Sequence, residues 1–157
     1  MSQDPEVLSK SPLFVGLPGE QMKALEEAAV MGTYSDGEVV VEEGTPSDCI
    51  FVLQEGATVV EKRDPGGRPI LLAALSQPGD FFGEMSLVDV LPRSTTVRSK
   101  GPSVIWALHK KVLVDFFREY PEAQLGIVLN MARELSTRLR RANDTIVALV
   151  STRKGER

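Results

Sequence analysis

Within the segment FFGEMSLVDVLPRSTTV, residues 81–97, a glycine, a glutamate and an arginine stand at spacings that give each a separate chemical use. Gly83 allows a backbone conformation or a close approach that other residues resist, and Glu84-Met85-Ser86-Leu87 then supplies one turn of helix inside an otherwise β-rich region. The N–H groups and positive dipole end of such a turn suit an anion. Arg93 returns at the start of the next strand with a planar guanidinium fork that matches phosphate oxygens. Glu84, acceptor-only when ionised, suits a hydroxyl donor such as a ribose 2′-OH, and the hydroxyls of Ser94 and Thr95 flank the arginine. One phosphate charge, one sugar hydroxyl and an apolar wall describe a cyclic mononucleotide better than ATP. The same residues have a second use, in which Glu84 and Arg93 form an ion pair that closes the loop.

Elements that can hold this segment are legible on both sides of it. From Tyr34 to His109 the chain is a series of short β-rich runs at 39–43, 49–54, 57–63, 69–75, 94–99 and 103–109, separated by Asp36-Gly37, Glu43-Gly44-Thr45-Pro46, Glu55-Gly56, Asp64-Pro65-Gly66-Gly67 and Gln77-Pro78-Gly79-Asp80. Short strands at this spacing predict an antiparallel sandwich or barrel. Short N-terminal helices are expected over 4–31, the β-roll over 32–109, two C-terminal helices over 110–150 divided at Pro121, and a frayed polar tail over 151–157. The whole chain reads as one domain.

The second C-terminal helix carries a further pattern. Leu125, Val128, Ala132, Leu135, Leu139, Ala142, Ile146 and Leu149 alternate steps of three and four, the spacing of an a/d coiled-coil seam. The helix over 122–150 is therefore expected to pair with a second copy of the chain. The alternative is that the stripe packs on the β domain.

Composition narrows the function classes. Residues 1–120 hold 11 Lys+Arg against 18 Asp+Glu, and residues 121–157 hold 7 against 4, so an acidic body of net −7 precedes a basic tail of net +3. Such a body lacks the basic face that DNA-backbone binding requires. No apolar run approaches the roughly 20 residues that span a bilayer. The acidic MSQDPEV start is unlike a signal peptide, so a cytoplasmic location is expected, and the initiating Met and polar end read as a complete protein. The one histidine, His109, and the one cysteine, Cys49, are read as the end of an apolar strand and a small core residue. With one of each, no catalytic Cys/His or metal-ligand grouping is expected, so the reading is of a non-enzyme with no metal and no cofactor.

The run Phe82-Gly83-Glu84-Met85-Ser86-Leu87, followed by Pro92-Arg93-Ser94-Thr95-Thr96-Val97, resembles the phosphate-binding cassette of the cyclic nucleotide-binding domain family, which includes catabolite activator protein, the regulatory subunits of protein kinase A and the cyclic-nucleotide-gated channels. With the Gly37, Gly44, Gly56 and Gly79-Asp80 turns and the two C-terminal helices, the likeness extends over about residues 12–150. It implies a mainly β fold, an antiparallel β-roll (a double-stranded β-helix or jelly roll) with short N-terminal helices and a long C-terminal helix. It also implies that the amides from Gly83 through Glu84 and Met85 to Ser86, with the Arg93 side chain, hold the cyclic phosphate of cAMP or cGMP. Glu84 would take the ribose 2′-OH, Ser94 and Thr95 would add contacts, and Val60 and Leu72 would line the base pocket. Arg138, Leu139, Arg141 and Ala142 would lie within reach of the base, where an arginine gains stacking energy over a purine. A solvated arginine face on that helix is the alternative.

Two departures from the family pattern bear on function. Thr95 stands where an alanine is usual, and only a short polar tail follows the long helix where transcription-factor members carry a helix-turn-helix, so no DNA binding is expected. The resulting expectation is a sensor that binds cAMP in preference to cGMP and signals to an unknown protein partner by moving its C-terminal helix. The rival is a dimeric interaction scaffold of the same fold that does not use a nucleotide.

Overall fold

The run CIFVL at 49–53 is apolar without alternation because both of its faces are covered, and the rest of the architecture follows from that strand. The protein is represented by a computed structural model that describes residues 6–155. Its strands are β1 (Val30–Tyr34), β2 (Val39–Val41), β3 (Cys49–Glu55), β4 (Thr58–Arg63), β5 (Pro69–Leu75), β6 (Phe81–Phe82), β7 (Thr96–Ser99) and β8 (Ser103–His109). They form two four-stranded antiparallel sheets, ordered β1-β8-β3-β6 and β2-β7-β4-β5. This is the mainly β, antiparallel roll with flanking helices that the sequence implies.

Side chains of β3 divide between two cores because successive residues of a strand point to opposite faces. Ile50 and Val52 join Phe81, Trp106, Leu108, Leu113, Phe116 and Ile127 in a core between the first sheet and the helices. Cys49, Phe51 and Leu53 join Val41, Phe82, Val97 and Ile105 in a second core between the sheets. The two residues of β6 are split the same way, Phe81 toward the helices and Phe82 into the roll. That division sets up the segment beginning at Gly83.

The helices are α1 (Val7–Lys10), α2 (Gly19–Ala28), α3 (Lys110–Glu119) and α4 (Pro121–Gly155), with a 3-10 turn at Pro12–Phe14. Within the roll, β2 ends at Val41 rather than 43 and β7 begins at Thr96 rather than 94, so Arg93 lies in the loop before it; two boundaries between the larger segments also differ from the sequence expectation. Val30 and Met31, assigned to the N-terminal helical stretch 4–31, instead pair with Ala107 and Trp106, so the sheet begins at 30 and not 32; residues 4 and 5 lie outside the described residues. The tail expected to fray over 151–157 is helical as far as Gly155, the rest lying outside the described residues. No glycine or proline interrupts residues 127–154, and Arg153 and Lys154 complement the negative end of the helix dipole.

Only the first part of α4 packs on the body. Ala123, Ile127, Asn130 and Met131 are its buried residues. Asn130 Nδ2 donates to the carbonyls of Leu13 at 3.1 Å and Val15 at 2.8 Å, and Gln21 Nε2 donates to Glu122 Oε1 at 2.8 Å. The heptad-spaced stripe lies on another face. Leu125 (65% exposed), Leu139 (62%), Ile146 (58%) and Leu149 (65%) are open to solvent, and Leu135 packs partly on the core. Burial on the β domain therefore does not explain the stripe.

Candidate functional site

The chain leaves β6 through Gly83 in the left-handed region, φ 80°, and enters a 3-10 turn over Glu84–Leu87. A Cβ at position 83 would lie 2.6 Å from Arg93 Nη1 and 2.7 Å from the Cys49 carbonyl oxygen. Glycine is thus required twice, for its backbone conformation and for the guanidinium that rests against it. Beneath the turn Phe82 stacks on Phe51, ring centroids 5.0 Å apart, which joins β6 to β3 inside the roll. Glu84 and Ser86 are buried, and Met85 is exposed. Ser86 Oγ has no hydrogen-bond partner among the described residues, a costly state for a buried hydroxyl.

Arg93 is held in place by backbone and side chain together. Its N–H donates to the Thr45 carbonyl and its own carbonyl accepts from Gly44, both at 2.8 Å, so the Gly44-Thr45 turn fixes where the side chain starts. Nη1 donates to the Cys49 carbonyl at 3.1 Å, and Cζ lies 5.5 Å from the Phe51 ring centroid. The side chain is buried, yet its paired acid, Asp48, is 74% exposed and stands 3.7 Å from Nη2. Burial draws the Arg93 pKa below the ordinary guanidinium value, with the nearby Cys49, Asp48 and Glu84 opposing that shift. A guanidinium nevertheless stays charged at neutral pH. A buried cation with a distant, solvated partner and donors left in its fork is a ready receptor for an anion.

Glu84 pairs with Arg138 on α4 and not with Arg93, so the loop-closing pair considered from sequence is not the one formed. Arg138 Nη1 donates to Glu84 Oε1 at 3.1 Å and Nη2 to the Phe81 carbonyl at 2.7 Å, while Cζ lies 4.7 Å from the Phe81 ring centroid. A carboxylate offers about four acceptor sites, so one N–H from Arg138 leaves room on Glu84 for a hydroxyl donor.

The structure thus gathers Gly83, Glu84, Ser86, Arg93 and Arg138 around one turn. Thr95 is half-buried beside them. Ser94 is exposed, its carbonyl accepting from Lys62 Nζ at 2.7 Å. Arg141, Leu139 and Ala142 are exposed on α4, so of the expected lid residues Arg138 alone makes these cassette contacts. Val60 packs on the core between the sheets, whereas Leu72 is exposed on the edge strand β5, where the register shifts between Val60–Ala73 and Glu61–Leu71 and leaves Leu72 as the extra residue.

The sequence profile of the cyclic nucleotide-binding domain matches residues 32–120, more than half of the chain. The chain belongs to that family. It is 28% identical over 147 residues to the CRP-like cAMP-activated global transcriptional regulator of Mycobacterium tuberculosis, covering 94% of this chain and 63% of the relative. Glutaminase 1 of Bradyrhizobium diazoefficiens is 31% identical over 145 residues, which cover 92% of this chain and 23% of that enzyme. The crystal structure of the N-terminal domain of a transcriptional regulator from Streptomyces coelicolor A3(2) superposes with a TM-score of 0.73 at 32% identity, covering 88% of this chain and 95% of that one. This chain therefore spans less than two-thirds of the length of the M. tuberculosis regulator and of the glutaminase. The family match ends at Tyr120, so the Arg138 contacts arise in a helix beyond it.

Sequence reasoning missed several participants of this cyclic nucleotide-binding domain. Phe51 and Phe81, the rings against which Arg93 and Arg138 rest, lie in apolar runs whose facing cannot be read without strand register. Asp48 is brought beside Arg93 by the β3 start. The count of one cysteine and one histidine also gave no hint that Asp48, Cys49 and His109 present ligand atoms within 4.8 Å of one another. The signal that would have found them is the antiparallel pairing that sets Cys49 opposite His109.

Proposed function

We propose that this domain binds a cyclic mononucleotide, cAMP in preference to cGMP, and acts as a regulatory module whose output is the position of α4. The observation that carries the reading is the buried Arg93 guanidinium, resting on Gly83 and ion-paired with the exposed Asp48, together with a buried Ser86 hydroxyl on the turn that follows Gly83, unpartnered among the described residues. A phosphate supplies what that arrangement lacks. Its oxygens take the free edge of the Arg93 fork and the Ser86 hydroxyl, with Met85, Ser94 and Thr95 at the rim, while the ribose 2′-OH donates to Glu84. The M. tuberculosis relative is named as cAMP-activated, which supports adenine over guanine.

Glu84 is shared between ligand and helix. A hydroxyl arriving at the carboxylate meets the Arg138 guanidinium there, so ligand occupancy and the seating of α4 are energetically linked. The solvent-facing stripe Leu125, Leu139, Ile146 and Leu149 supports a homodimer through the same helix, with a further protein partner reading its movement. We further infer a cytoplasmic, non-catalytic protein that does not bind DNA through its acidic body. No helix among the described residues is long and apolar enough to cross a membrane.

Calorimetry with cAMP and with cGMP tests the reading. Wild-type protein is expected to bind cAMP more tightly, and Arg93→Ala to weaken it by roughly two to three orders of magnitude, as loss of a buried charge-assisted contact costs about 2–5 kcal/mol. Absence of heat and of any melting shift at millimolar nucleotide overturns it.

A further inference from the structure

The only cysteine and the only histidine of the chain face each other across two paired strands. Cys49 opens β3, His109 closes β8, and they are register partners, with Sγ and Nδ1 3.1 Å apart. Asp48 precedes the cysteine, and its carboxylate completes a group of three ligand atoms that all lie within 4.8 Å of one another. The backbone of this corner is fixed by the sheet ladder and by the Lys110 N–H, which donates to the Asp48 carbonyl at 2.7 Å.

We propose that Asp48, Cys49 and His109 form a zinc site, with Nδ1, Sγ and one carboxylate oxygen as three tetrahedral ligands and the fourth position left for water or a further ligand. The donor set is what selects the metal. One thiolate, one imidazole and one carboxylate suit Zn2+, whereas Ca2+ and Mg2+ take oxygen ligands throughout. Metal–ligand distances of about 2.0–2.3 Å in a tetrahedral site set ligand atoms about 3.5 Å apart, so Sγ and Nδ1 open slightly from 3.1 Å and the carboxylate settles to the same spacing. Asp48 is exposed and held by its 3.7 Å pairing with Arg93, and His109 is exposed beside it, so the carboxylate can adjust and the ion can enter from solvent. As the Zn–S bond forms the thiol proton leaves to solvent, and thiolate and carboxylate then balance the two positive charges. A plain Sγ–H to Nδ1 hydrogen bond would account for the Cys49–His109 distance alone. The third donor, Asp48, also stands 3.7 Å from Arg93 Nη2, so the cobalt titration, and not the placement alone, decides for a metal.

The site does not rest on nucleotide binding and is tested without nucleotide. The full chain, stripped of metal with a chelator, is titrated with Co2+ and then with Zn2+. A 1:1 complex with a thiolate-to-cobalt charge-transfer band, displaced by Zn2+, is expected. His109→Ala and Asp48→Asn change exposed side chains and retain the fold by circular dichroism, and each weakens Co2+ at least about tenfold, a direct ligand counting for no less than an outer-shell partner. Cys49→Ser abolishes the charge-transfer band. The site is overturned if wild type shows no such band at excess Co2+, or if both His109→Ala and Asp48→Asn bind the metal as tightly as wild type.

Discussion

Arg138, 54 residues after Glu84 in the chain, sets its Nη1 3.1 Å from the Glu84 carboxylate and its Nη2 2.7 Å from the Phe81 carbonyl. One side chain thus ties α4 to both ends of the Phe81–Glu84 turn. Arg138→Ala leaves a buried carboxylate without its cation, and Glu84→Gln removes the charge that needs one. Because the Arg138 side chain is 33% exposed, the coupling is screened. A double-mutant cycle by urea unfolding is expected to give an interaction of about 1 kcal/mol. Strict additivity would show that the pair has no energetic role.

Gly83→Ala tests the seat of Arg93. A left-handed backbone costs a non-glycine residue about 1–2 kcal/mol, and the added methyl must also displace a guanidinium and a carbonyl oxygen. The variant is expected to melt lower and to lose nucleotide affinity to about the same degree as Arg93→Ala. Retained affinity in a destabilised protein would separate the turn from the site.

Asp48 and Arg93 form an unequal pair, and the inequality has a measurable consequence. An exposed acid contributes about 0–1 kcal/mol to such a pair, so Asp48→Asn changes stability by no more than that in metal-free protein. Nucleotide affinity stays within about fivefold of wild type by the same figure. A larger stability loss would mean that Arg93 already has its full counter-charge in the free protein.

Asn130 is the polar pin between α4 and the N-terminal turn. Asn130→Ala strands the Leu13 and Val15 carbonyls, at a cost of about 1–3 kcal/mol. For a chain of this size each kcal/mol lowers Tm by about 2–4 °C, which thermal unfolding resolves. An unchanged Tm would indicate that water replaces the amide without penalty.

Leu139→Glu with Ile146→Glu places charges on the solvent-facing stripe. Light scattering is expected to give a dimer mass for wild type and a monomer mass for the double variant, with the body's secondary structure intact. A monomeric wild type at high concentration sinks the helix-pairing reading.

What could be read from sequence was what neighbouring residues decide. The turn after Gly83, the fork of Arg93 and most strands follow from residue type and local alternation, so their positions agree with the pattern. VMGTY at 30–34 shows no such alternation, and its partner, β8, lies about seventy residues on, so its first two residues, Val30 and Met31, read as the end of the preceding helical stretch. The two-residue β6 is too short to leave a periodic signal. Glu84 with Arg138, Asp48 with Arg93 and Cys49 with His109 are pairings across 54, 45 and 60 residues, set by strand register and helix placement rather than by spacing. The three-and-four stripe of α4 was legible because its period is internal to the helix. Which face the body would bury was not, since Asn130, a polar residue, sits at the centre of the buried contact.

The part of α4 beyond Arg138 is exposed at every position through Gly155. Seventeen helical residues extend about 25 Å. Anchored at Asn130 and Arg138 and unsupported beyond them, this rod has the shape of a lever with its pivot at the cassette. A tilt of about 10° at the fulcrum displaces its tip by roughly 4 Å over that length. With Asn130 and Arg138 about 12 Å apart along the helix, that tilt corresponds to a shift of about 2 Å at Arg138, so on the proposed reading the free end moves about twice as far as the contact at Glu84.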